Sequence, residues 1–265
     1  MVALLAGCGT AEFGQARDSL RDGKYYIAME HYLSFVKNHP KHRRAPEAIF
    51  EVGNLQHMVL GEPEKAVETF QNLVKAYPVG PYTLAAQKRL AEIHKNVFSD
   101  YQRAIIDYEK FLHAAPNHKD TPDVLMELAH CYTLTHNFAQ AEIEYDRLIR
   151  AFPKYPRLDE AYFQKGNNYF ISGDYEKAVA TYQYIPRAFT QSHVVPQAIF
   201  GMANAYEEMD DFEHAKENYR KILKTYPSPK VVQIRLKGVE DREARKNSRA
   251  APASAAKKPA RPGAG

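Results

Sequence analysis

Small, aromatic and polar positions recur along this chain at a nearly fixed interval. An alanine followed four residues later by Tyr or Phe recurs in phase at six positions, and successive alanines of this series are 37 or 38 residues apart. The six alanines are Ala28, Ala66, Ala104, Ala141, Ala178 and Ala215. Because residues four apart share one face of an α-helix, each motif predicts a helix that buries a small residue and a ring.

Turn and stop signals flank these helices. Gly, Asp or Asn stands four or five residues before each alanine and favours a tight turn. A proline, which disfavours helix continuation, stands twelve residues after five of the alanines: Pro40, Pro78, Pro116, Pro153 and Pro227. The fifth repeat has Thr190 there and Pro186 four residues earlier. Its helix is therefore predicted to end near Ile185, with a longer connection over residues 186–195.

A partner helix with its own aromatic-to-small register precedes each of these helices. Phe13 and Ala16, Phe50 and Gly53, Phe163 and Gly166, and Phe200 and Ala203 all have this spacing. A single hairpin cannot bury its apolar face, so neighbouring hairpins must stack. We predict an all-α, right-handed solenoid of about six hairpins over residues 9–240, closed by a capping helix from Pro229 to Val239.

Together these features resemble tetratricopeptide repeats over roughly residues 11–227. Two features differ from the family pattern: the chain has no Trp, and its period exceeds the usual interval of about 34 residues. The lengthened repeats resemble those of BamD-like lipoproteins of outer-membrane barrel assembly and of Tol-associated periplasmic coordinators. Residues 77–82, Tyr-Pro-Val-Gly-Pro-Tyr, match a loop sequence of the BamD-like family. Six repeats instead of five, and no long mid-chain insertion, separate this chain from that family.

The first eight residues contain a lipidation candidate. Leu5-Ala6-Gly7-Cys8 resembles a bacterial lipobox, in which the cysteine becomes the lipidated first residue. The apolar stretch before it is short and has no basic residues, so either the true start lies upstream or Cys8 is an ordinary thiol. We interpret residues 1–8 as a truncated signal and expect lipid anchoring at the periplasmic face of the outer membrane. A soluble periplasmic or cytoplasmic location is the alternative.

Positive charge is concentrated at the other end. The chain has 265 residues and a formal charge of +4. Residues 241–265 contain seven Lys or Arg against two acidic residues, which leaves the rest of the chain near −1. The near-neutral body disfavours nucleic-acid binding. The Ala/Pro/Lys-rich segment 241–265 is predicted to be disordered, either as a solubilising tail or as a contact to anionic lipid or cell-wall polymer.

No pattern of catalytic or metal-binding residues emerges. The eleven histidines are scattered, and neither a phosphate-binding glycine loop nor a nucleophile elbow is present. Cys131 is expected to be a small core residue, and the acidic residues between Glu207 and Glu213 a solvated turn. We therefore predict no enzyme activity, no cofactor and no metal.

A peptide groove is the site that the resemblance implies, since the first helices of such repeats line the concave surface. The groove candidates are Phe13, Arg17, Phe50, Asn54, Met126, His130, Phe163, Asn167, Phe200 and Asn204. Asparagine amides can donate to and accept from an extended peptide, and rings offer apolar pockets. The alternative is that the rings pack between repeats while the asparagines face water.

The resulting functional hypothesis is a non-catalytic scaffold of the bacterial envelope. Its first form is an outer-membrane lipoprotein that binds a barrel-insertion protein during barrel assembly. One alternative is a Tol- or peptidoglycan-associated coordinator that binds a Tol component. Another is a pilotin-like lipoprotein that guides a secretin. These classes share one fold, so the repeats alone do not separate them.

Overall fold

The computed structural model describes the backbone of residues 3–250 and the side chains of residues 11–249. Within that range the chain forms thirteen α-helices and one π-helical turn, without a strand. This confirms the predicted all-α class. Internal contacts divide the chain into two compact units, Met1–Pro153 and Lys154–Gly265. None of the helices in the described part of the chain is long and apolar enough to span a bilayer.

Unit 1 contains four helical hairpins, each joined by a turn of a few residues. Its helices are α1 (Ala3–Arg21), α2 (Tyr25–Asn38), α3 (Ala45–Asn54), α4 (Pro63–Ala76), α5 (Pro81–Asn96), α6 (Tyr101–Ala114), α7 (Thr121–Leu134) and α8 (Phe138–Ala151). The π-helical turn, Leu55–Val59, continues α3. Such short turns make the two helices of a hairpin antiparallel neighbours.

Unit 2 contains two hairpins and a final helix. Its helices are α9 (Leu158–Ser172), α10 (Tyr175–Ala188), α11 (Val195–Glu208), α12 (Phe212–Ile222) and α13 (Pro229–Ala250). The odd helix, α13, packs on α12 and covers the apolar side of the last hairpin through Val232 and Val239, both fully buried.

The core of every hairpin is the predicted pair of a small residue and a ring. All six motif alanines are completely buried, and so are the rings that follow them by four residues. The rings are Tyr32, Phe70, Tyr108, Tyr145, Tyr182 and Tyr219. Facing them on the first helices are residues that are equally small, such as Gly53 and Gly166. A Cβ built on either glycine would lie 2.5 Å from the facing ring, of Phe70 or Tyr182 respectively.

The turn between the two helices of each hairpin has one conformation throughout. The residue five positions before each motif alanine has a positive φ, from 53° to 84°, in all six repeats. Three of these residues are glycines and three are not: Gly23, Gly61, Ser99, His136, Gly173 and Asp210. The left-handed conformation costs a non-glycine residue about 1 kcal/mol, so tertiary packing imposes it on Ser99, His136 and Asp210. Asp side chains cap three of the helices that follow, with Asp100, for example, accepting from the backbone N–H of Arg103 at 3.0 Å.

The second and third repeats have one extra residue between the small residue of the first helix and the alanine of the second. In the second repeat the π-helical turn absorbs it, with the N–H of Leu60 donating to the carbonyl of Leu55 at 3.0 Å. In the third, the N–H of Phe98 donates to the carbonyl of Ile93 at 3.2 Å. Each of these bonds spans five residues, whereas an ordinary α-helical bond spans four. The added residue is therefore accommodated locally, and the same faces of the two helices still pack together.

The prediction for Pro186 is wrong. Helix α10 continues past this proline and ends at Ala188, ten residues after its motif alanine. The corresponding helices α2, α4, α6 and α8 end at the same position, although they have the late proline and α10 does not. In all five the first residue after the helix donates its N–H to the carbonyl four residues back, as Phe189 does to Ile185 at 2.8 Å. A proline in the last turn removes a single hydrogen bond, and packing of the helix outweighs that loss.

The predicted boundary between capping helix and disordered tail is also wrong, because α13 continues to Ala250. The acidic residues at the end of α11, which we expected to be solvated, form ion pairs with the second half of α13. Arg242 binds the buried Glu207 at 2.9 Å and Asp210 at 3.3 Å. Lys246 binds Asp210 at 2.9 Å, and this hydrogen bond, together with the lysine's charge, lowers the pKa of that carboxyl. Residues 251–265 lie outside the described part of the chain.

At the N-terminus, α1 begins at Ala3, so the lipobox-like segment and the first repeat helix are continuous in backbone structure. The side chain of Cys8 lies outside the described residues, and its lipidation stays a prediction.

Replacing Gly166 with Ala tests the close approach of ring and helix. The new methyl group would collide with the Tyr182 ring, so we expect unfolding free energy to fall by about 1–3 kcal/mol. Without such a collision, Gly→Ala inside a helix raises the free energy of unfolding by about 1 kcal/mol. The matched control is Gly238→Ala in α13, where nothing lies within 4 Å of the new Cβ and a small gain is expected. Urea denaturation followed by circular dichroism measures both, and a stabilised Gly166→Ala variant would contradict the packing described.

Candidate functional site

The predicted groove positions fall into two groups according to burial. Phe13 and Met126 are 1% and 4% exposed, so the prediction that they line a groove is wrong. Phe13 packs edge-on against Tyr32 at 5.5 Å and Phe35 at 5.3 Å, measured between ring centroids, and the Arg44 guanidinium covers its ring. A ring enclosed on these sides has no surface left for a peptide.

The other three phenylalanines are half-buried. Phe50, Phe163 and Phe200 each lie against the motif ring of their own hairpin, at centroid distances of 5.6, 5.9 and 5.5 Å. Each ring therefore contributes to the packing between helices, in agreement with the alternative that these rings are part of the core. Only their remaining exposed edges could meet a partner.

The asparagines one turn later have an internal role that the sequence pattern did not indicate. The buried hydroxyl of Tyr182 donates to Asn167 Oδ1 at 2.7 Å. The hydroxyl of Tyr219 is within hydrogen-bond distance of Asn204 Oδ1 and also, at 3.1 Å, of Glu207 Oε2. The Asn167 amide nitrogen donates to Gln164 at 3.1 Å. These asparagines do not merely face water, because each supplies the acceptor that a buried tyrosine needs.

The second repeat lacks this bond. Its motif ring is Phe70, which has no hydroxyl, and among the described residues Asn54 Oδ1 is buried without a hydrogen-bond partner. The contacts of Gly53 with Phe70 match those of Gly166 with Tyr182, so the two sites have the same local geometry. The absence of a hydroxyl on the Phe70 ring therefore explains why Asn54 Oδ1 has no donor.

Arg17 and His130 occupy different surroundings. Arg17 is exposed on α1, whereas His130 is half-buried on α7. Burial, and secondarily the charge of Lys95, lowers the pKa of His130, so its imidazole is neutral at physiological pH. Arg17 therefore presents its charge in the first hairpin of unit 1, whereas the neutral His130 lies three hairpins further along, in the fourth.

An open cleft of about 640 Å³ lies between the first helices α1 and α3. Its lining residues are Gly14, Arg17, Asp18, Leu20, Arg21, Tyr32, Glu47 and Glu51. One wall, from α1, presents two arginines and Asp18, which pairs with Arg21 at 3.0 Å. The other wall, from α3, presents two glutamates, of which Glu47 lies 4.0 Å from Arg44. Of the predicted groove residues, only Arg17 lines this cleft; Glu47 and Glu51 were not recognised from the sequence.

The electrostatics of the cleft depend on partial burial. Burial raises the pKa of Glu51, while a hydrogen bond from Asn54 opposes the shift. Burial likewise raises the pKa of Tyr32 to about 12, with the Glu51 and Glu47 carboxylates adding to the rise. Two carboxylates beside a neutral phenol, in a partly desolvated cleft, favour a cationic group of a partner on that wall.

Further along unit 1, ion pairs link the first helices directly. Lys88 on α5 binds Asp120 at the start of α7 at 2.9 Å. Two turns later Lys95, 12% exposed, pairs with Glu127 on α7. Because these charges are matched within the protein, this part of the face offers a partner less than the α1–α3 cleft does.

A buried His–Asp pair also escaped the sequence analysis. His94 Nδ1 lies 2.9 Å from Asp107 Oδ2, and the side chains are 4% and 10% exposed. Gln56 and Thr69 form the equivalent link in the second repeat, at 2.7 Å. Because this hydrogen bond recurs at the same register in the second and third repeats, it is a polar contact that joins the two helices of each hairpin. The register position of His94, three residues after Ala91, was the available signal.

The remaining candidates for chemistry have structural settings. Burial raises the pKa of the Cys131 thiol to about 12, so it is unreactive at neutral pH. Within residues 11–249, no group of three His, Cys, Asp or Glu side chains is arranged to hold a metal ion. In the loop 77–82, the Tyr77 hydroxyl donates to the carbonyl of Pro40 at 2.6 Å, which ties the second hairpin to the first.

Comparison with known families identifies the repeat. Tetratricopeptide-repeat family models match residues 47–78, 159–183 and 197–229. The chain contains tetratricopeptide repeats. Those segments lie in the second, fifth and sixth hairpins of the structure. No curated protein matches the chain.

Several solved structures have the same fold at low sequence identity. A tetratricopeptide-repeat protein from Parabacteroides merdae is 14% identical, with a TM-score of 0.63 over 93% of this chain and 94% of that one. PilW, described as a widely conserved type IV pilus biogenesis factor, is 15% identical, with a TM-score of 0.57 over 86% and 98%. Pseudomonas aeruginosa PilF is 12% identical, with a TM-score of 0.56 over 87% and 99%. At these identities the likeness concerns the fold.

Giving the second repeat the missing hydroxyl tests the internal role of the asparagines. We expect Phe70→Tyr to raise the unfolding free energy by about 0.5–1.5 kcal/mol, since the new hydroxyl would donate to the unpartnered Asn54 Oδ1. A double-mutant cycle with Asn54→Ala supplies the control, because the gain must vanish when the acceptor is removed. A gain that persists without Asn54 would refute this assignment.

Proposed function

We propose that this protein is a non-catalytic scaffold that holds a segment of a partner protein in the α1–α3 cleft. The cleft is the observation on which the proposal rests, because it is an open concavity lined by charged side chains of the first helices of unit 1. Arg21 already pairs with Asp18 at 3.0 Å and Glu47 lies 4.0 Å from Arg44, so Arg17 and Glu51 are the charges most available to a partner. Elsewhere on that face, internal bonds occupy the corresponding side chains.

The two walls define the chemistry of the segment. A Lys or Arg of the partner would pair with Glu51, while an Asp, Glu or terminal carboxylate would pair with Arg17. Tyr32 closes the floor of the cleft, with only 1% of the residue exposed, and its phenolic hydroxyl stays protonated at neutral pH. A short segment with charges of both signs fits these walls.

We place this scaffold in the bacterial envelope, anchored by lipid on Cys8. The lipobox-like sequence ahead of the first repeat supports this placement, and the loop over residues 77–82 supports kinship with BamD-like proteins of barrel assembly. In that form of the proposal, the partner is a barrel-insertion protein of the outer membrane.

A pilotin-like role is the second candidate, and a specific observation favours it. PilW, one of the similar structures, is described as a type IV pilus biogenesis factor, and PilW and PilF are each matched over at least 98% of their length. In this form the partner is a secretin subunit. A Tol component would indicate the third candidate, the Tol-associated coordinator.

A photo-crosslinking amino acid at position 17 identifies the partner in living cells. We expect one dominant crosslinked protein from this position, and its identity by mass spectrometry separates barrel-insertion protein, secretin and Tol component. The matched control is position 103 on α6, an exposed arginine outside the cleft. Equal labelling from both positions, or none from position 17, would eliminate the cleft as the binding site.

The anchor is tested separately by metabolic labelling with a palmitate analogue. Labelling should be lost in Cys8→Ser and retained in Cys131→Ser, since the second thiol is buried. The Cys8→Ser protein should also move from the membrane to the soluble fraction. An unlabelled wild-type protein would exclude lipid anchoring but leave the crosslinking result unaffected.

A further inference from the structure

The last helix, α13, has one side against the body of unit 2 and one side uncovered. Val232 and Val239 point into the core, and Glu243 pairs with Lys216 at 2.7 Å. The opposite side is exposed along the length of the helix. We define this basic outer face by its exposed residues Lys230, Val231, Ile234, Lys237, Arg245 and Arg249.

The charges of the basic outer face are unmatched within the protein. In the described part of the chain, no carboxylate forms an ion pair with Lys230, Lys237, Arg245 or Arg249, and Arg245 donates only to the backbone carbonyl of Asp241. Asp241 is the one acidic side chain on this side of the helix. By contrast, Arg242 and Lys246, on the flank of α13, are already bound to Glu207 and Asp210.

Aliphatic surface accompanies these cations. Val231 is 42% and Ile234 62% exposed, between Lys230 and Lys237 on the same side of the helix. A capping helix normally presents a polar outer side, so exposed aliphatic residues here are unexpected. Cations combined with aliphatic side chains on one helix face are typical of surfaces that bind anionic membranes, where charge attracts headgroups and side chains enter the interface.

We propose that the basic outer face of α13 binds the surface of a membrane containing anionic phospholipid. Charge complementarity supports a lipid, and the sequence beyond Ala250 adds Lys257, Lys258 and Arg261 without any acidic residue. The exposed Ile234 favours a lipid surface over nucleic acid, whose phosphates an aliphatic side chain cannot recognise. This contact lies in unit 2 and is independent of the cleft in unit 1 and of lipidation at Cys8.

Vesicle co-sedimentation of the purified, unlipidated full chain tests the proposal. The probes are vesicles of phosphatidylcholine alone and of phosphatidylcholine with about 30% phosphatidylglycerol. We expect binding only to the anionic vesicles, and Arg245→Glu with Arg249→Glu should weaken it by about tenfold or more. Ile234→Ser should weaken it severalfold. Circular dichroism spectra and thermal midpoints like those of wild type verify that the variants fold.

The charge-matched control is Lys41→Glu with Lys154→Glu, at two exposed loop cations outside α13. This control should bind within about twofold of wild type, because membrane attraction falls off within a Debye length. Equal loss in both double variants would reduce the effect to net charge and overturn the proposal. So would unchanged binding of the Arg245/Arg249 or Ile234 variant, absence of binding to anionic vesicles, or tighter binding to a short duplex DNA.

Discussion

The fold depends on how closely two helices approach at one level of each hairpin. A large ring on the second helix must face a residue on the first helix that is no larger than alanine. In the second and fifth repeats even a methyl group is too much, since the ring lies where the Cβ of Gly53 or Gly166 would be. Helix separation, turn conformation and helix length then follow together, which is why six turns share a positive φ and five helices end at the same register.

Much of this architecture could be predicted from the sequence because its cause is local. Alanine and ring lie four residues apart, and the turn residue is five positions earlier, so one segment contains the whole signal. The errors occurred where the deciding partner is distant in sequence. Nothing around Arg242 indicates that Glu207 lies 2.9 Å away, yet that pair helps to keep helical a segment whose composition suggested disorder. Pro186 misled for the same reason, since contacts with other helices outweigh a local stop signal.

The candidate site shows the same limit more sharply. The recurring Phe and Asn were correctly identified as a register, but a register does not say whether a side chain faces a partner or a neighbour. Asn167 and Asn204 serve tyrosine hydroxyls, and Phe13 is enclosed. The cleft between α1 and α3 was missed because Glu47 and Glu51 lie outside the small and aromatic positions that define the repeat. Those positions report what all repeats share, which is packing, whereas a binding site depends on the residues between them.

The π-helical turn after Asn54 has a consequence for the history of such chains. One residue added to an ordinary helix rotates everything after it by about 100°, which would turn a buried stripe toward solvent. Here the widened turn takes up that rotation within five residues, and α4 resumes with Ala66 still buried. Repeats of unequal length can therefore be joined, exchanged or duplicated without disturbing their neighbours. Single-residue insertions at this end of the first helix should accordingly be a tolerated source of variation in the gene, and a practical splice point for hybrid repeats.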